Sequence, residues 1–137
     1  MNHLNSILIE GRLVRDPLFR MTAKGIALCT FSIATERFYK QEGTMEKETS
    51  YFDVESWTKL AEKSRMCGHK GRGVRVVGRL RQDRWTNTEG KAKSHICIVA
   101  EHLEFRPEAK REGAGSAAAY DERVLTQVFA DAPIPGF

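Results

Sequence analysis

The stretch YFDVESW, residues 51–57, places chemically active side chains at every second position. In a β-strand, successive side chains point to opposite faces of the sheet. One face of this stretch therefore carries two aromatic rings and two carboxylates: Tyr51, Asp53, Glu55 and Trp57. The other face carries Phe52 and Val54, which are predicted core residues. The exposed face could stack its rings on flat ligands, or use its carboxylates for metal binding or acid–base chemistry.

The carboxylate pair would indicate catalysis only if other groups joined it. The sequence places no His, Ser or third carboxylate evidently beside Asp53 and Glu55, and its four histidines lack metal-ligand spacing. The segment GHKGRG, residues 68–73, lacks the order of a phosphate-binding loop, and three cysteines without a Cys-x-x-Cys pair indicate neither zinc nor a disulfide framework. We expect no enzymatic activity, no metal and no cofactor. A small hydrolase using Asp53 and Glu55 stays open as an alternative, which labelled DNA with Mg²⁺ would reveal.

Two further strands place aromatic rings beside cations. Residues 73–85 put a row of side chains on one face: Arg75, Val77, Arg79, Arg81, Asp83 and Trp85. The segment 26–39 and the residue after it bring two adjacent rings between Arg37 and Lys40. Single-stranded nucleic acid needs this combination, since cations contact phosphates while unpaired bases stack on rings, each stack contributing roughly 1–3 kcal/mol. We expect single-strand binding with little sequence preference; the alternative is that the rings serve only contacts between subunits.

The charge distribution favours an anionic partner. The chain has a net charge of +4, and residues 70–93 contain eight basic but only two acidic side chains. Such a concentrated basic segment indicates contact with phosphates. The chain has no run of about 18 apolar residues, and its first residues lack the features of a signal peptide. We therefore expect a cytoplasmic, nucleoid-associated protein without membrane contact.

The order of elements predicts an all-β fold. Five strands are expected, over residues 6–14, 26–39, 51–57, 73–85 and 92–106, with one helix over residues 58–67. Residues 40–49 are charged and lack periodicity, which predicts a water-exposed loop, and Gly11 predicts a bend, a bulge or a close backbone approach. This layout is that of the OB-fold, a five-stranded Greek-key barrel that binds oligonucleotides or oligosaccharides. We expect it over residues 1–106, followed by a flexible tail over residues 107–137.

An ordered series of segments over residues 4–106 resembles the bacterial single-stranded DNA-binding protein family: NSILIEGRLVRDP, FSIAT, WTKLAE, KGRGVRVVGRLR and RWTNTEG. The resemblance implies an OB-fold, a homotetramer that wraps single-stranded DNA during replication, recombination and repair, and no catalysis. It assigns base stacking to matching positions: Tyr39, Tyr51, Trp57 and Trp85. Phe38 replaces Tyr39 if the second strand shifts by one residue. It assigns phosphate contacts to Lys59, Lys70 and Arg84, to which the arginine row adds Arg79 and Arg81.

The chain departs from the family pattern at two places. Phe52 stands where the family often has a histidine at a subunit interface. The tail ends DAPIPGF, with a single acid and a glycine before the last residue, whereas family tails end in several acids followed by Ile-Pro-Phe. The resemblance assigns docking of replication and repair proteins to three residues of this tip: Ile134, Pro135 and Phe137.

The carboxylates lie on the face that is expected to bind DNA. Asp53 and Glu55 would repel phosphate, so we expect them to pair with Arg75, Arg79 or Arg81 and to keep the DNA backbone off their patch.

An OB-fold that binds structured RNA, or one that acts as a primosome component, is the remaining alternative among binding proteins.

Overall fold

A computed structural model describes residues 1–108 of the chain. The elements in chain order are β1 (Ile7–Leu13), β2 (Leu18–Met21), β3 (Ala27–Gln41), β4 (Thr44–Trp57), α1 (Lys59–Cys67), β5 (Gly73–Thr86) and β6 (Ala92–Phe105). The strands form one sheet in the order β1-β5-β6-β4-β3-β2, and an additional pairing of β1 with β3 closes it into a barrel. The predicted all-β OB-fold is confirmed, with β2 as an unpredicted short strand. The predicted flexible tail lies almost entirely outside the described residues.

Closure of the barrel depends on a close approach at Gly11. Strand β1 pairs with β5 from Ile7 to Arg12, and it pairs with β3 at Arg12 and Leu13. A Cβ atom built on Gly11 would lie 2.6 Å from the carbonyl oxygen of Ala34 in β3. The predicted close backbone approach at this glycine is confirmed, because a larger residue would push β1 away from β3.

The core consists of apolar side chains on the inner faces of the strands: Leu13, Phe31, Ile33, Val54, Val74, Val76, Ile98, Ala100 and Leu103. The prediction that Phe52 is a core residue is wrong, since 37% of it is exposed. It lies on the inner side of β4, but at the end where β4 has ceased to pair with β6. Phe19 is only partly buried, and the guanidinium carbon of Arg65 lies 4.4 Å from the centroid of its ring.

The predicted helix is confirmed as α1, which covers one end of the barrel. Ala61 and Ser64 are its buried residues. The Ser64 hydroxyl lies 3.0 Å from that of Ser56 in β4, and Ser56 donates a 2.8 Å hydrogen bond to the carbonyl of Cys29 in β3. The helix is thereby fixed to two neighbouring strands just after Trp57.

Two β-hairpins extend beyond the barrel, and the prediction of a loop over residues 40–49 is wrong. Strand β3 continues to Gln41, and β4 begins at Thr44 after a turn in which Glu42 and Gly43 have φ of 50° and 80°. A two-residue turn with positive φ at both positions matches the right-handed twist of paired strands. We call residues 35–50 the first arm and residues 81–96, whose turn contains Gly90 at φ 80°, the second arm. Within residues 1–108, no helix is long and apolar enough to cross a membrane.

Candidate nucleic-acid interface

The surface of the sheet opposite the core, which we call the outer face, carries the side chains singled out in β4. Val54 and Ser56 are fully buried, so the alternating residues Tyr51, Asp53, Glu55 and Trp57 lie on the outer face. Tyr51 and Trp57 are both partly exposed. Six residues of a strand separate them by about 20 Å at roughly 3.3 Å per residue. The outer face of β4 therefore offers two aromatic surfaces, one at each end of a carboxylate pair.

The register of β3 and β4 places Phe38 on the outer face. Ala34 lies opposite Tyr51, and directly opposed residues of an antiparallel pair point to the same side. Phe38, four residues beyond Ala34, shares that side and is 62% exposed. Tyr39 points to the other side, where the guanidinium carbon of Arg37 lies 5.3 Å from its ring centroid. The register therefore favours the one-residue shift that the sequence left open.

The second arm carries Trp85 on the same outer face. Val74, Val76 and Gly78 of β5 are buried, so the arginines at 79 and 81, and Trp85 beyond them, point outward. The pairing of β5 with β6 continues without interruption from Gly78 to Thr86, which preserves the alternation. Trp85 is 50% exposed. Arg84 points to the opposite face, so it does not share a surface with this ring.

Several lysines and one arginine lie beside the outer-face rings. Lys59 is exposed at the first residue of α1, two residues after Trp57. Register places Lys47 opposite Phe38 and Lys93 opposite Trp85. Arg20 lies one strand further from Trp57, opposite Leu28, which is itself opposite Trp57. Lys70 lies in the α1–β5 turn, where its backbone N–H donates to Asp16. Sequence reasoning missed Arg20 because β2 was not predicted, and missed Lys47 because the first arm was interpreted as a loop.

The carboxylates of β4 are held by cations from the neighbouring strands. Glu55 Oε2 accepts a 2.7 Å hydrogen bond from Arg81, and Asp83 Oδ1 accepts one of 3.0 Å from the Arg81 Nε. The expectation that arginines pair with the β4 carboxylates is confirmed for Glu55 and wrong for Asp53. Asp53 Oδ2 lies 2.6 Å from the His95 Nε2, because β6 lies between β4 and β5 and presents His95 first.

The titration properties of this patch follow from those contacts. The hydrogen bond with Asp83, aided by Glu55 and opposed by burial, raises the pKa of Arg81, which stays a cation. Burial raises the pKa of the Cys97 thiol to about 11. Glu55, Asp83 and Cys97 bring potential metal-ligand atoms within 4.8 Å of one another. The guanidinium of Arg81 already supplies the positive charge that this cluster needs.

The arrangement combines a closed barrel, an outer face with rings at intervals, and cations near three of the rings, Phe38, Trp57 and Trp85. Rings that project from a sheet beside cations can accept unpaired bases while their phosphates remain neutralised. An OB-type barrel with such a surface is typical of proteins that bind single-stranded nucleic acid.

Comparison with known proteins places the chain within that class. The model of the Single-strand binding protein family matches residues 4–106. The single-stranded DNA-binding protein of Aquifex aeolicus is 37% identical over 122 residues, covering 88% of this chain and 81% of the relative. That of Thermotoga maritima is 35% identical over 106 residues, covering 77% of this chain and 75% of the relative. The chain belongs to the single-strand binding protein family, and the resemblance seen in its sequence is confirmed.

A solved structure supports the fold. The Plasmodium falciparum SSB in complex with ssDNA superposes with a TM-score of 0.72 at 23% sequence identity, covering 78% of this chain and 98% of that one. At this level of identity the likeness concerns the barrel architecture.

Proposed function

We propose that the protein binds single-stranded DNA without strong sequence preference and protects it during replication, recombination and repair. The observation that carries the proposal is the shared outer face of Tyr51, Trp57, Phe38 and Trp85, on which register places cations beside rings. Bases stack on the rings while cations neutralise the phosphates. Membership of a family of non-enzymatic binding proteins agrees with the expected lack of catalysis.

The stacking residues proposed from the sequence are Tyr39, Tyr51, Trp57 and Trp85, and the register supports Phe38 in place of Tyr39. The proposed phosphate contacts are Lys59, Lys70, Arg79, Arg81 and Arg84. Of these, Lys59 has the best support, because it is exposed and close in sequence to Trp57. Arg81 and Arg84 have the least, since two carboxylates already occupy the Arg81 guanidinium and Arg84 points away from the outer face.

Two assembly proposals accompany DNA binding. A homotetramer is supported by family membership alone. Docking of replication and repair proteins is proposed for the tip residues Ile134, Pro135 and Phe137, which lie outside the described residues.

Titration of intrinsic tryptophan fluorescence with an oligo-dT tests the proposal. Stacking quenches an indole, so we expect saturable quenching that weakens with salt, with a slope of about −0.7 per phosphate neutralised. Trp57→Ala and Trp85→Ala should each lower the affinity. Absence of quenching together with unchanged affinity in both variants would refute the proposal. Competition by oligo-U at equal salt distinguishes DNA binding from the RNA alternative, which would use contacts to the 2′-hydroxyl.

A further inference from the structure

The two arms meet along a very short stretch of backbone pairing. Among the described residues, β4 and β6 pair only at Val54 with Ile98 and at Glu55 with Val99. The first arm, which carries Phe38, and the second arm, which carries Trp85, both begin beyond those pairs. The backbone ladder between β4 and β6 therefore does not extend along the arms.

Side chains on the outer face connect β4 to β5 and β6 at the last pairs of the backbone ladder and just beyond them. Asp53 of β4 contacts His95 of β6 at 2.6 Å, and Glu55 of β4 contacts Arg81 of β5 at 2.7 Å. The second contact passes over β6, whose Cys97 Sγ lies 3.6 Å from the same Glu55 oxygen. We call the four side chains of these two contacts, Asp53, Glu55, Arg81 and His95, the clasp.

The carboxylates of the clasp are largely buried, its cationic partners are partly exposed, and further hydrogen bonds anchor it at both ends. The side chains of Asp53 and Glu55 are only 12% and 19% exposed, against 30% for His95 and 34% for Arg81. The second oxygen of Asp53 accepts a hydrogen bond from Ser32 in β3, and Arg81 also donates to Asp83 of its own strand. Charge-assisted hydrogen bonds at such sites hold geometry better than exposed ion pairs do.

We propose that the clasp residues are positioning residues, which fix the spread between the two arms so that one DNA strand can stack on the rings of both. This inference rests on the proposed function. Pre-ordered arms cost less conformational entropy when DNA binds, and the affinity for a strand that reaches both arms rises accordingly. The clasp thereby explains why carboxylates lie in the middle of a surface that binds an anion.

A simpler role for the carboxylates makes a different prediction. If Asp53 and Glu55 acted only by repelling phosphates, replacing the histidine beside Asp53 would change the affinity for short and long strands alike. If the clasp positions the arms, breaking it lowers the affinity for a long strand and leaves that for a short strand, bound on one region of the outer face, unchanged.

The first experiment measures the spread of the arms directly. Spin labels are attached at Glu46→Cys in the first arm and Glu89→Cys in the second, in the Cys67→Ser background, because Cys29 and Cys97 are buried. Pulsed dipolar spectroscopy on labelled chains diluted with excess unlabelled protein gives the distance distribution within one chain. We expect the distance distribution to be broader in His95→Ala than in the wild type. The double variant Asp53→His with His95→Asp exchanges the two partners, and it should restore a narrow distribution. An unchanged distribution in His95→Ala would overturn the proposal.

The second experiment measures binding with two lengths of oligo-dT. In His95→Ala we expect about a tenfold loss for an oligonucleotide that reaches both arms and less than a twofold change for a short one, tenfold being equivalent to about 1.4 kcal/mol. Glu101→Gln is the control, since Glu101 lies 3.9 Å from Arg79 on the outer face but does not join the arms. Equal losses for both lengths, or a gain for both, would contradict positioning. If His95→Ala does not fold, His95→Gln, which can still donate to Asp53, takes its place with a smaller expected loss.

The two experiments separate this inference from the proposed function. If the wild-type protein does not quench with oligo-dT, the proposed function fails whatever the spin labels show. If oligo-dT quenches the wild-type fluorescence normally but the distance distribution is the same in His95→Ala as in the wild type, only the positioning role fails.

Discussion

Arg81 donates a 2.7 Å hydrogen bond to Glu55 across the intervening strand β6. The other oxygen of Glu55, Oε1, is buried without a hydrogen-bond partner among the described residues. The negative charge of Glu55 therefore relies on one guanidinium. Arg81 therefore differs from the exposed arginines of β5, because its guanidinium stabilises the sheet by contacting Glu55.

Replacement of Arg81 by methionine should destabilise the fold. It leaves Glu55 as an uncompensated carboxylate, which costs about 3–5 kcal/mol at a fully buried site and about 1–3 kcal/mol at this partly exposed one. Urea denaturation of the Arg81→Met variant measures the loss, and adding Glu55→Gln should recover part of it. Arg79→Met is the matched control, because Arg79 lies 3.9 Å from Glu101 and nearly half of its side chain is exposed. Equal losses in the two single variants would show that the Glu55 contact has no special weight.

Phe38 and Tyr39 should differ in their effect on DNA affinity. Phe38 is on the outer face with Tyr51, whereas Tyr39 is on the opposite side beside Arg37. We expect Phe38→Ala to weaken binding of oligo-dT by about 1–3 kcal/mol, the contribution of one stacked base, and Tyr39→Ala to change it little. Fluorescence anisotropy of a labelled oligonucleotide distinguishes them. The reverse ranking would mean that the first arm twists far enough to present its other side to the DNA.

Lys47 should contribute to the salt dependence of binding. It lies opposite Phe38 on the first arm, where a stacked base would bring a phosphate near. Loss of one phosphate contact lowers the slope of log affinity against log salt by about 0.7. Lys47→Gln measured at several salt concentrations provides the test, and Lys24→Gln, in the turn between β2 and β3, is the control. A parallel shift with an unchanged slope would assign Lys47 a role other than phosphate contact.

Much of the fold could be predicted from the sequence because its signals are local. Alternating apolar residues in β1, β5 and β6 specify buried faces, and glycines at 43 and 90 permit the positive φ that the arm turns require. The loop predicted over residues 40–49 was wrong because the first arm is exposed on both sides. Without a buried face, its strands show no alternation for sequence reasoning to detect.

The candidate site was less predictable because its geometry depends on strand order. That Tyr51 and Trp57 share a face follows from their spacing alone. The contact of His95 with Asp53 depends on β6 lying beside β4. The position of Phe38, instead of Tyr39, on the outer face depends on the register of β3 with β4. Phe52 was assigned to the core from alternation, but alternation does not reveal where the neighbouring strand departs.

A side chain at position 11 should destabilise the barrel. A Cβ at this position would lie 2.6 Å from the Ala34 carbonyl oxygen, which belongs to the strand that closes the barrel. We expect Gly11→Ala to lower the free energy of unfolding by about 1–3 kcal/mol, as overpacking against a rigid neighbour does. Thermal unfolding followed by circular dichroism measures the change. Ser94→Ala, at an exposed position of β6, controls for the intrinsic preference of alanine in strands, and a loss no larger than in this variant would contradict the close contact.

The contact between His69 and Glu108 should give the protein a small pH-dependent stability. Burial alone would lower the pKa of His69, but hydrogen bonds with Glu108 and the Lys70 carbonyl, together with the charge of Glu108, raise it above 6.5. The hydrogen bond from His69, aided by its charge and by Arg72, lowers the pKa of Glu108 below 4.5.

The two pKa shifts confine the stabilisation by this contact to a window of pH. A raised histidine pKa stabilises the folded state fully below 6.5, and the stabilisation is lost as pH rises through the folded pKa. A lowered carboxyl pKa stabilises it above 4.5, and that contribution is lost as pH falls through the folded pKa. The contact therefore stabilises the fold most between about pH 4.5 and 6.5, and weakly, because both side chains are about half exposed. Titration of the His69 ring by NMR should show its pKa falling in Glu108→Gln, and an unchanged pKa would show that the carboxylate does not set it.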